Sequence, residues 1–276
     1  MTEPDWIAPD WPAPAWVRSV FTTQAGGFST GLFASMNLGD HVGDVPAAVA
    51  LNRARLQQSL QARAVFLKQV HGHQVLELQP GMPDAGVADA SVSAHAGLAC
   101  TVLVADCLPV LLAHQHRPVV AAAHAGWRGL AGAAGAAARV AGTGVLEATF
   151  EKFCQLAGQL PPAAAPQTLA WLGPCIGPSA FEVGPEVRAA FVQHHAGATS
   201  LFKPGACGKY WADLPGLARL RLGALGISQI YGNDSGSNWC TVMNPSRFFS
   251  HRRTSALAGA VAGGTGGRMG ACVWLV

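Results

Sequence analysis

The sequence predicts an α/β (α+β) fold in which packed mixed β-sheets are flanked by helices. Three observations predict it. Half of the 276 residues are hydrophobic and 12% are charged, enough to build a large core. Short apolar runs bounded by glycine and proline indicate buried strands, whereas longer stretches repeat apolar residues with helical spacing. These elements alternate without the regular period of a βαβ array, which favours mixed sheets. We therefore predict one domain over residues 17–276, preceded by an N-terminal extension over residues 1–16.

The first part of the chain supplies a strand, a long loop and a helix. Residues 17–23 form the first predicted strand, and a loop rich in glycine and serine follows. Residues 45–61 carry apolar side chains at helical spacing, with Asp44 as the expected N-cap and Pro46 in the first turn. A strand over 65–70 ends at His71, and "HGHQVLEL" predicts another, interrupted at Gly72.

The rest of the chain alternates apolar strands with helices. Strands are predicted over 98–105, 109–113, 119–124 and 169–172, in "ISQIYG" and in the final "GACVWLV". One or two helices follow "HAGW", and further helices are expected over 184–194 and 213–225. Residues 161–166 predict a surface turn, and the glycine-rich segment 258–270 predicts a loop near the end of the chain.

Composition excludes several classes of protein. The net charge is +3, and no cationic run exceeds the pair Arg252–Arg253, so no nucleic-acid partner is expected. No apolar run reaches 18 residues, and the N-terminal segment lacks the basic start and apolar core of a signal peptide. Seven scattered cysteines without a CxxC pair indicate reduced thiols. We expect a cytoplasmic protein without membrane association.

Three side chains fall where apolar strands give way to turns: His71, Cys107 and His124. A rigid scaffold presents side chains to a cleft at such positions. One cysteine and two histidines are a known ligand set for catalytic zinc, which leaves the fourth coordination position open. Their spacing is too long for a zinc finger or ribbon.

The same residues allow two other interpretations. Cys107 could be a nucleophile with His124 or His71 as its base and Asp106 as an orienting group. Alternatively, they could be a buried cysteine and two hydrogen-bonded histidines without chemistry. We expect the negative charge of Asp106 to raise the pKa of a lone Cys107 thiol, which would favour the metal over the thiol mechanism.

Candidate anion ligands lie nearby in sequence or late in the chain. Arg128 follows Gly126 and Trp127 at a predicted helix start, which predicts an anion site, although pairing with a surface carboxylate is the commoner fate. Arg252 in "FFSHRR" and Arg268 after "GGTGG" are further candidates for phosphate. Asn37, in the first long loop, completes the predicted substrate or phosphate ligands. We expect Arg128 to face the same cleft as Cys107.

Two His-x-His pairs complete the inventory. "HGH" at 71–73 and "HQH" at 114–116 could bind copper, because alternate residues of a strand point to one face. The second pair precedes Arg117 and Pro118 in an expected hairpin turn, where exposure is the simpler interpretation.

Taken together, the motifs resemble those of the laccase-domain family. The segments are "FLKQVHG", "VADCLPVLL", "VAAAHAGWRGL", "WLGPCIGPSAFEVG" and "FFSHRR…GGRM". This family carries the names multicopper polyphenol oxidoreductase, purine nucleoside phosphorylase with adenosine deaminase activity, and peptidoglycan editing factor. The resemblance extends over residues 17–276 and implies that they form a laccase-domain catalytic domain. It also implies a fold similar to that of cysteine-hydrolase-like toxin domains.

The resemblance implies that His71, Cys107 and His124 bind Zn²⁺, with Cu²⁺ as the alternative. It implies a purine nucleoside phosphorylase with adenosine deaminase activity, acting on adenosine, inosine or methylthioadenosine. His71, Cys107, His124 and Asp106 are then the catalytic residues, with Asp106 transferring a proton. The expected partners are a nucleoside and phosphate, and the expected state is a monomer. Polyphenol oxidation by copper at this site, or thiol hydrolysis of peptidoglycan precursors, are the alternative activities.

Two positions depart from the family pattern. The "TRxGGVS" segment is here "TTQAGGFS", which places Gln24 where the family usually has arginine. The "FFSYRR" segment is here "FFSHRR", with His251 in place of tyrosine. If the usual arginine helps to hold an anion, the affinity for phosphate or the choice of substrate is expected to differ in this protein.

Overall fold

Four layers stack in the order helix, sheet, sheet, helices in a computed structural model of the chain. The structure describes residues 5–132, 142–257 and 266–276. The helices are α1 (Pro46–Leu60), α2 (Trp127–Ala131), α3 (Val145–Ala157), α4 (Pro161–Ala164), α5 (Pro185–Val192), α6 (Leu214–Ala224) and α7 (His251–Leu257). The strands are β1 (Val17–Phe21), β2 (Arg63–Val65), β3 (Val75–Glu77), β4 (Ala90–Ser93), β5 (Leu98–Val104), β6 (Leu108–His114), β7 (Val120–Ala125), β8 (Thr168–Leu172), β9 (Glu182–Val183), β10 (Phe202–Pro204), β11 (Tyr210–Ala212), β12 (Gln229–Gly232) and β13 (Met269–Leu275). This arrangement confirms the predicted fold class.

The two large sheets both mix parallel and antiparallel pairs. The first has the order β1-β13-β5-β2, with β2 parallel to β5 and the other pairs antiparallel. The second has the order β12-β8-β6-β7-β4-β3, with parallel pairs only at its two edges. A small third sheet has the order β10-β11-β9. Mixed pairing explains why strands and helices alternate irregularly along the chain.

The side chains of β6 show how the layers share the core. Leu108, Val110 and Leu112 pack with the helices that include α3 and α6, whereas Leu111 and Ala113 pack between the two large sheets. Strand residues alternate between the two faces of a sheet. Both faces are covered here, so every position of β6 is buried. This double burial produces the continuous apolar run seen in the sequence.

Helix α1 covers the outer face of the four-stranded sheet. Its Leu56 and Leu60 pack against Leu103 of β5 and Trp274 of β13. The predicted helix is confirmed, but its N-cap is Val45, without a side-chain cap. Asp44 instead accepts hydrogen bonds from Ser29 and Asn37 within the preceding loop.

Other local predictions were wrong where tertiary contacts override the sequence pattern. The strand predicted over 65–70 ends at Val65, and the chain continues irregularly towards His71. Strand β4 and helix α7 were not predicted. The turn predicted over 161–166 contains helix α4. Residues 133–141 of the predicted helical stretch and 258–265 of the glycine-rich loop lie outside the described residues. Within the described residues, no helix is long and apolar enough to cross a membrane.

Candidate metal centre

Three separate chain segments bring His71, Cys107 and His124 together. His71 follows β2 in an irregular loop, Cys107 occupies the turn between β5 and β6, and His124 belongs to β7. One potential ligand atom from each side chain lies within 4.8 Å of those of the other two. These three residues, predicted from the sequence as metal ligands, therefore form one cluster.

Asp106 shapes the turn that presents Cys107. Its φ of 85° lies in the left-handed region, which aspartate tolerates better than most residues. Its Oδ1 accepts a hydrogen bond from the Thr241 hydroxyl at 2.5 Å, and its Oδ2 accepts one from the Arg252 amide at 2.6 Å. Both carboxylate oxygens are therefore bonded within the protein, so the geometry favours an anchoring role over the predicted proton transfer.

Asp89, which the sequence reasoning missed, joins two of the three clustered residues. Its carboxylate accepts hydrogen bonds from the amides of Val70, His71 and Gly72 at 3.2, 2.8 and 2.7 Å. The same carboxylate lies 2.8 Å from Nδ1 of His124. A carboxylate only accepts, so Nδ1 carries the proton and Nε2 remains for a ligand. The signal available in the sequence was an aspartate beside an apolar segment.

Gln69 attaches the His71 loop to the strand that leads to Cys107. Its Nε2 donates to the Leu103 carbonyl at 2.8 Å, and its Oε1 accepts from the Leu103 amide at 2.7 Å. The amide side chain thus satisfies both backbone groups of Leu103, as a neighbouring strand would. This bond pair fixes the position of the loop relative to β5.

Gly126 leaves room for the cluster. A Cβ atom at this position would lie 2.9 Å from Cδ2 of His71 and 3.1 Å from Sγ of Cys107. Any larger residue would displace one of these two side chains. The glycine before Trp127 is therefore required by the close approach of backbone to the site.

Charges within the cluster shift the pKa values of its thiol and imidazole groups. Burial favours the neutral thiol, but the charge of His124 and hydrogen bonds from both histidines lower the pKa of Cys107 to about 6. Burial favours neutral imidazole, but Cys107 and Asp89 together raise the pKa of His124 to about 9. The pKa of the Cys107 thiol is therefore lowered, whereas the neighbouring Asp106 led us to expect a raised value.

A cavity of about 450 Å³ opens over the cluster. Part of its lining is apolar and includes Trp127, Ile176, Phe181 and Leu214. Other lining groups are polar or cationic and include His41, Gln69, His251, Arg252 and Arg268. The cavity lining therefore combines a potential metal-ligating cluster, apolar side chains and two guanidinium groups.

Two of the four predicted anion ligands line this cavity. Arg252 donates to the carbonyls of Ala180 and Glu182, both at 3.2 Å, which holds its guanidinium in place. Arg268 donates through Nη1 to the carbonyls of Gly266 and Gly267. Within the described residues its carbonyl bonds use only Nη1, which leaves its other nitrogens for an anion.

The other two predicted anion ligands lie elsewhere. The cavity lining, as far as the structure describes it, does not include Arg128, contrary to the expectation. Arg128 is exposed and stacks on the Trp127 ring, with its guanidinium carbon 4.5 Å from the ring centroid. Asn37 is fully buried and accepts the amide of Arg268 at 2.8 Å. Its contribution in this geometry is to position the Arg268 segment.

Of the two residues that depart from the family pattern, His251 is among the described cavity-lining residues and Gln24 is not. Gln24 donates to the Pro245 carbonyl at 2.7 Å and is not among the described cavity-lining residues. His251 lines the cavity at the start of α7. Burial and the nearby Arg268 lower the pKa of its imidazole. The second pair, His114 and His116, is not part of the cluster, and His114 is buried rather than exposed.

The donor set fits a transition-metal ion. One thiol with a lowered pKa and two imidazoles can converge on one ion, and Asp89 fixes the tautomer of His124. The cavity supplies space for a fourth, exchangeable ligand.

A family model described as multi-copper polyphenol oxidoreductase laccase matches residues 18–276. The chain belongs to this laccase-domain family. Curated relatives of this laccase-domain protein include a purine nucleoside phosphorylase of Pseudomonas aeruginosa, 46% identical over 273 residues, with 99% of this chain and 97% of the relative covered. The purine nucleoside phosphorylase YfiH of Escherichia coli is 43% identical over 263 residues, with 94% of each chain covered.

Solved structures agree with this assignment. A Neisseria meningitidis protein superimposes on this laccase-domain chain with a TM-score of 0.84 at 39% identity, covering 98% of this chain and 99% of that one. The mixed sheets and flanking helices are therefore those of the family. The names of the relatives support an enzyme of this family, and the His-Cys-His cluster is compatible with metal binding.

Proposed function

We propose that this protein is a zinc-dependent purine nucleoside phosphorylase that also deaminates adenosine. One observation carries the proposal: the His71, Cys107 and His124 cluster opens into a cavity that Arg252 and Arg268 also line. A metal-ligating centre beside two cationic groups suits a reaction between phosphate and a neutral nucleoside. The names of the curated relatives support the same activity.

In phosphorolysis, a phosphate oxygen forms a bond to C1′ of the ribose while the bond from C1′ to N9 breaks. The bonding electron pair leaves with the purine, which then takes up a proton. The guanidinium groups of Arg252 and Arg268 bind the phosphate and hold it beside the nucleoside. Their backbone carbonyl partners keep both side chains in place before the substrate arrives.

The apolar part of the cavity lining would bind the purine of the nucleoside. Trp127, Phe181, Ile176 and Leu214 offer aromatic and aliphatic surface to the faces of a purine. Arg128, stacked on the Trp127 ring, holds that ring from outside the cavity lining. Adenosine, inosine and methylthioadenosine are the proposed substrates, because they share the purine and the ribose.

His71, Cys107 and His124 would hold the metal, and Asp89 would orient His124. When bound, zinc supplies Lewis-acid polarisation of oxygen and lowers the pKa of water towards ~7. In deamination, a water oxygen forms a bond to C6 of adenosine and the bond from C6 to the amino nitrogen breaks. One proton of the water leaves with that nitrogen as ammonia, and the other ends on N1 of inosine. Copper also binds this donor set, because its affinity for nitrogen and sulfur ligands exceeds that of zinc.

A metal-free thiol hydrolase is the second candidate, because Cys107, His124 and Asp89 form a thiol, imidazole and carboxylate series. The pKa of Cys107 is lowered to about 6, and His124 donates to Asp89 at 2.8 Å. In that reaction, the Cys107 sulfur forms a bond to an acyl carbon, the bond from that carbon to an amine breaks, and the amine leaves with a proton from His124. Water then cleaves the thioester and releases the acyl group as an acid. Polyphenol oxidation ranks below both, because among the described residues we find one three-ligand cluster.

The substrates separate these functions. Zinc-loaded protein is incubated with inosine plus phosphate, and with adenosine in the presence and absence of phosphate. Chromatography should show hypoxanthine and ribose 1-phosphate from inosine only with phosphate, and inosine from adenosine without phosphate. Absence of nucleoside turnover by fully zinc-loaded protein would overturn the proposal.

A chelator distinguishes the metal from the thiol mechanism. Removal of zinc should abolish nucleoside turnover, and added zinc should restore it. Full activity in metal-free protein that alkylation of Cys107 then destroys would support the thiol hydrolase instead. The matched control is Cys207→Ser, because Cys207 is exposed and does not belong to the cluster.

The proposed partners are the nucleoside and phosphate alone, and the proposed state is a cytoplasmic monomer. All three candidate ligands and both lining arginines come from one chain, so the site needs no second copy. Size-exclusion chromatography with light scattering measures the oligomeric state directly.

A further inference from the structure

Asp89 is fully buried, yet among the described residues its carboxylate bonds only donors that belong to the candidate metal centre or its loop. We propose that Asp89 is the positioning residue of this centre, which fixes two of its three ligands, His71 and His124, through one carboxylate. The proposal rests on the metal-binding part of the proposed function, and it does not depend on which substrate is used.

The first arm of the arrangement fixes the ring of His124. Oδ1 of Asp89 lies 2.8 Å from Nδ1 of His124, and the Asp89 carbonyl accepts the His124 amide at 2.7 Å. Backbone and side chain of the same two residues are therefore bonded to each other. The ring can neither flip nor tilt without breaking the side-chain bond, so Nε2 is held towards the other two ligands.

The second arm fixes the loop that carries His71. Three successive amides, those of Val70, His71 and Gly72, donate to the Asp89 carboxylate. His71 has a φ of 61°, in the left-handed region that residues with a Cβ seldom adopt. Bonds to three consecutive amides stabilise this backbone, which otherwise belongs to no strand or helix.

The count of donors explains why the residue is a carboxylate. Oδ1 accepts from the His71 amide and His124 Nδ1, and Oδ2 accepts from the Val70 and Gly72 amides. An asparagine has one carbonyl oxygen, so its NH₂ group would face two donors in either orientation. Asp89→Asn would therefore lose either the bonds to His71 and His124 or the bonds to the Val70 and Gly72 amides, while keeping the size of the side chain.

Zinc affinity of the metal-free protein, measured by competition with a chromophoric chelator, tests the role. Loss of an outer partner of a zinc-bound histidine typically lowers metal affinity by about 10–100-fold, and we expect a loss of this size for Asp89→Asn. The matched control is Asp44→Asn, because the Asp44 carboxylate also accepts several hydrogen bonds but none from the three ligands. Its zinc affinity should stay within about twofold of wild type, inside the scatter of distant sites.

Wild-type zinc affinity in a folded Asp89→Asn variant would overturn the role of Asp89 alone. Failure of the wild type to bind zinc would overturn the metal centre itself, and failure of nucleoside turnover would leave the zinc measurement intact. If Asp89→Asn does not fold, nitrogen-15 NMR of the zinc-loaded wild type decides. It should show His124 protonated at Nδ1 and unprotonated at Nε2. The reverse assignment would contradict the proposal.

Discussion

Two buried histidines in the six-stranded sheet, His114 and His124, have opposite environments. His114 ends β6, and its Nδ1 accepts the amides of His116 and Arg117 at 3.0 and 3.1 Å. Its Nε2 lies 2.7 Å from Oε1 of Gln159, so both ring nitrogens are bonded within the protein. His124 instead donates from Nδ1 to Asp89, its ring also bonds the Cys107 thiol, and it lines the cavity.

The partner of Nδ1 accounts for the difference. Amide donors to Nδ1 require a neutral His114 ring, and burial lowers the pKa of that imidazole. A carboxylate at Nδ1 together with the nearby thiol has the reverse effect and raises the pKa of His124 to about 9. A histidine held by backbone amides and a glutamine stabilises the fold, whereas one held between a carboxylate and a cavity-lining thiol can act on a ligand.

The largest expected effect separates the two histidines by substitution. His124→Ala removes a metal ligand, and zinc affinity should fall at least by the ~100-fold that loss of an outer partner can cause. Nucleoside turnover should fall with it. His71→Ala should behave in the same way, because a three-ligand site needs both histidines. His114→Ala should retain zinc. Retention of zinc by His124→Ala, measured by elemental analysis, would contradict the different roles of the two histidines.

Two arginines differ in the same way, because Arg268 lines the cavity and Arg128 is not among its described lining residues. Arg268→Ala should raise the KM for phosphate by about 10–100-fold, since a hydrogen bond to a charged group contributes roughly 1.5–3 kcal/mol. Arg128→Ala should raise that KM far less, because Arg128 stacks on Trp127. Steady-state kinetics with inosine and varied phosphate measure both values. Equal effects of the two substitutions would contradict this assignment.

The pKa of the Cys107 thiol tests whether His124 is charged in the metal-free protein. In metal-free protein, alkylation of Cys107 by iodoacetamide should follow a pKa of about 6 rather than the ordinary 9.0, because the charged His124 favours the thiolate. The rate should therefore stay high from pH 8 to 7 and fall as the pH drops through about 6. Mass spectrometry of the Cys107 peptide measures it. A rate that rises steadily up to pH 9 would contradict the thiolate and imidazolium pair.

The smallest expected effect is on stability. His114→Ala should lower the free energy of unfolding by about 1–3 kcal/mol, because Gln159 and two amides lose their partner. The folded-state pKa of His114 lies below its unfolded value, so its net contribution declines as the pH falls below about 6.5. Urea unfolding at pH 7.5 and 5.5 should show a smaller difference between variant and wild type at the lower pH. An equal difference would contradict a neutral His114.

The sequence predicted Cys107 and His124 from the apolar strands around them, whereas the strand expected to end at His71 stops at Val65. The runs before Cys107 and through His124 are buried on both sides, and polar residues stand out there. The same reasoning could not find Asp89 or Gln69, because their partners lie 17 or more residues away in sequence. It placed Arg128 in the cavity from a helix start alone, although the side chain stacks on Trp127. Side-chain direction depends on packing, which spacing along the chain does not encode.

X-ray absorption at the zinc edge shows directly whether His71, Cys107 and His124 coordinate the metal. Zinc-loaded wild-type protein should show one sulfur at about 2.3 Å, two imidazole nitrogens at about 2.0–2.1 Å and one exchangeable light ligand. Phosphate should alter the signal of that fourth ligand, because Arg252 and Arg268 line the same cavity. A zinc environment without sulfur, or one closed by four protein ligands, would contradict a catalytic centre formed by His71, Cys107 and His124.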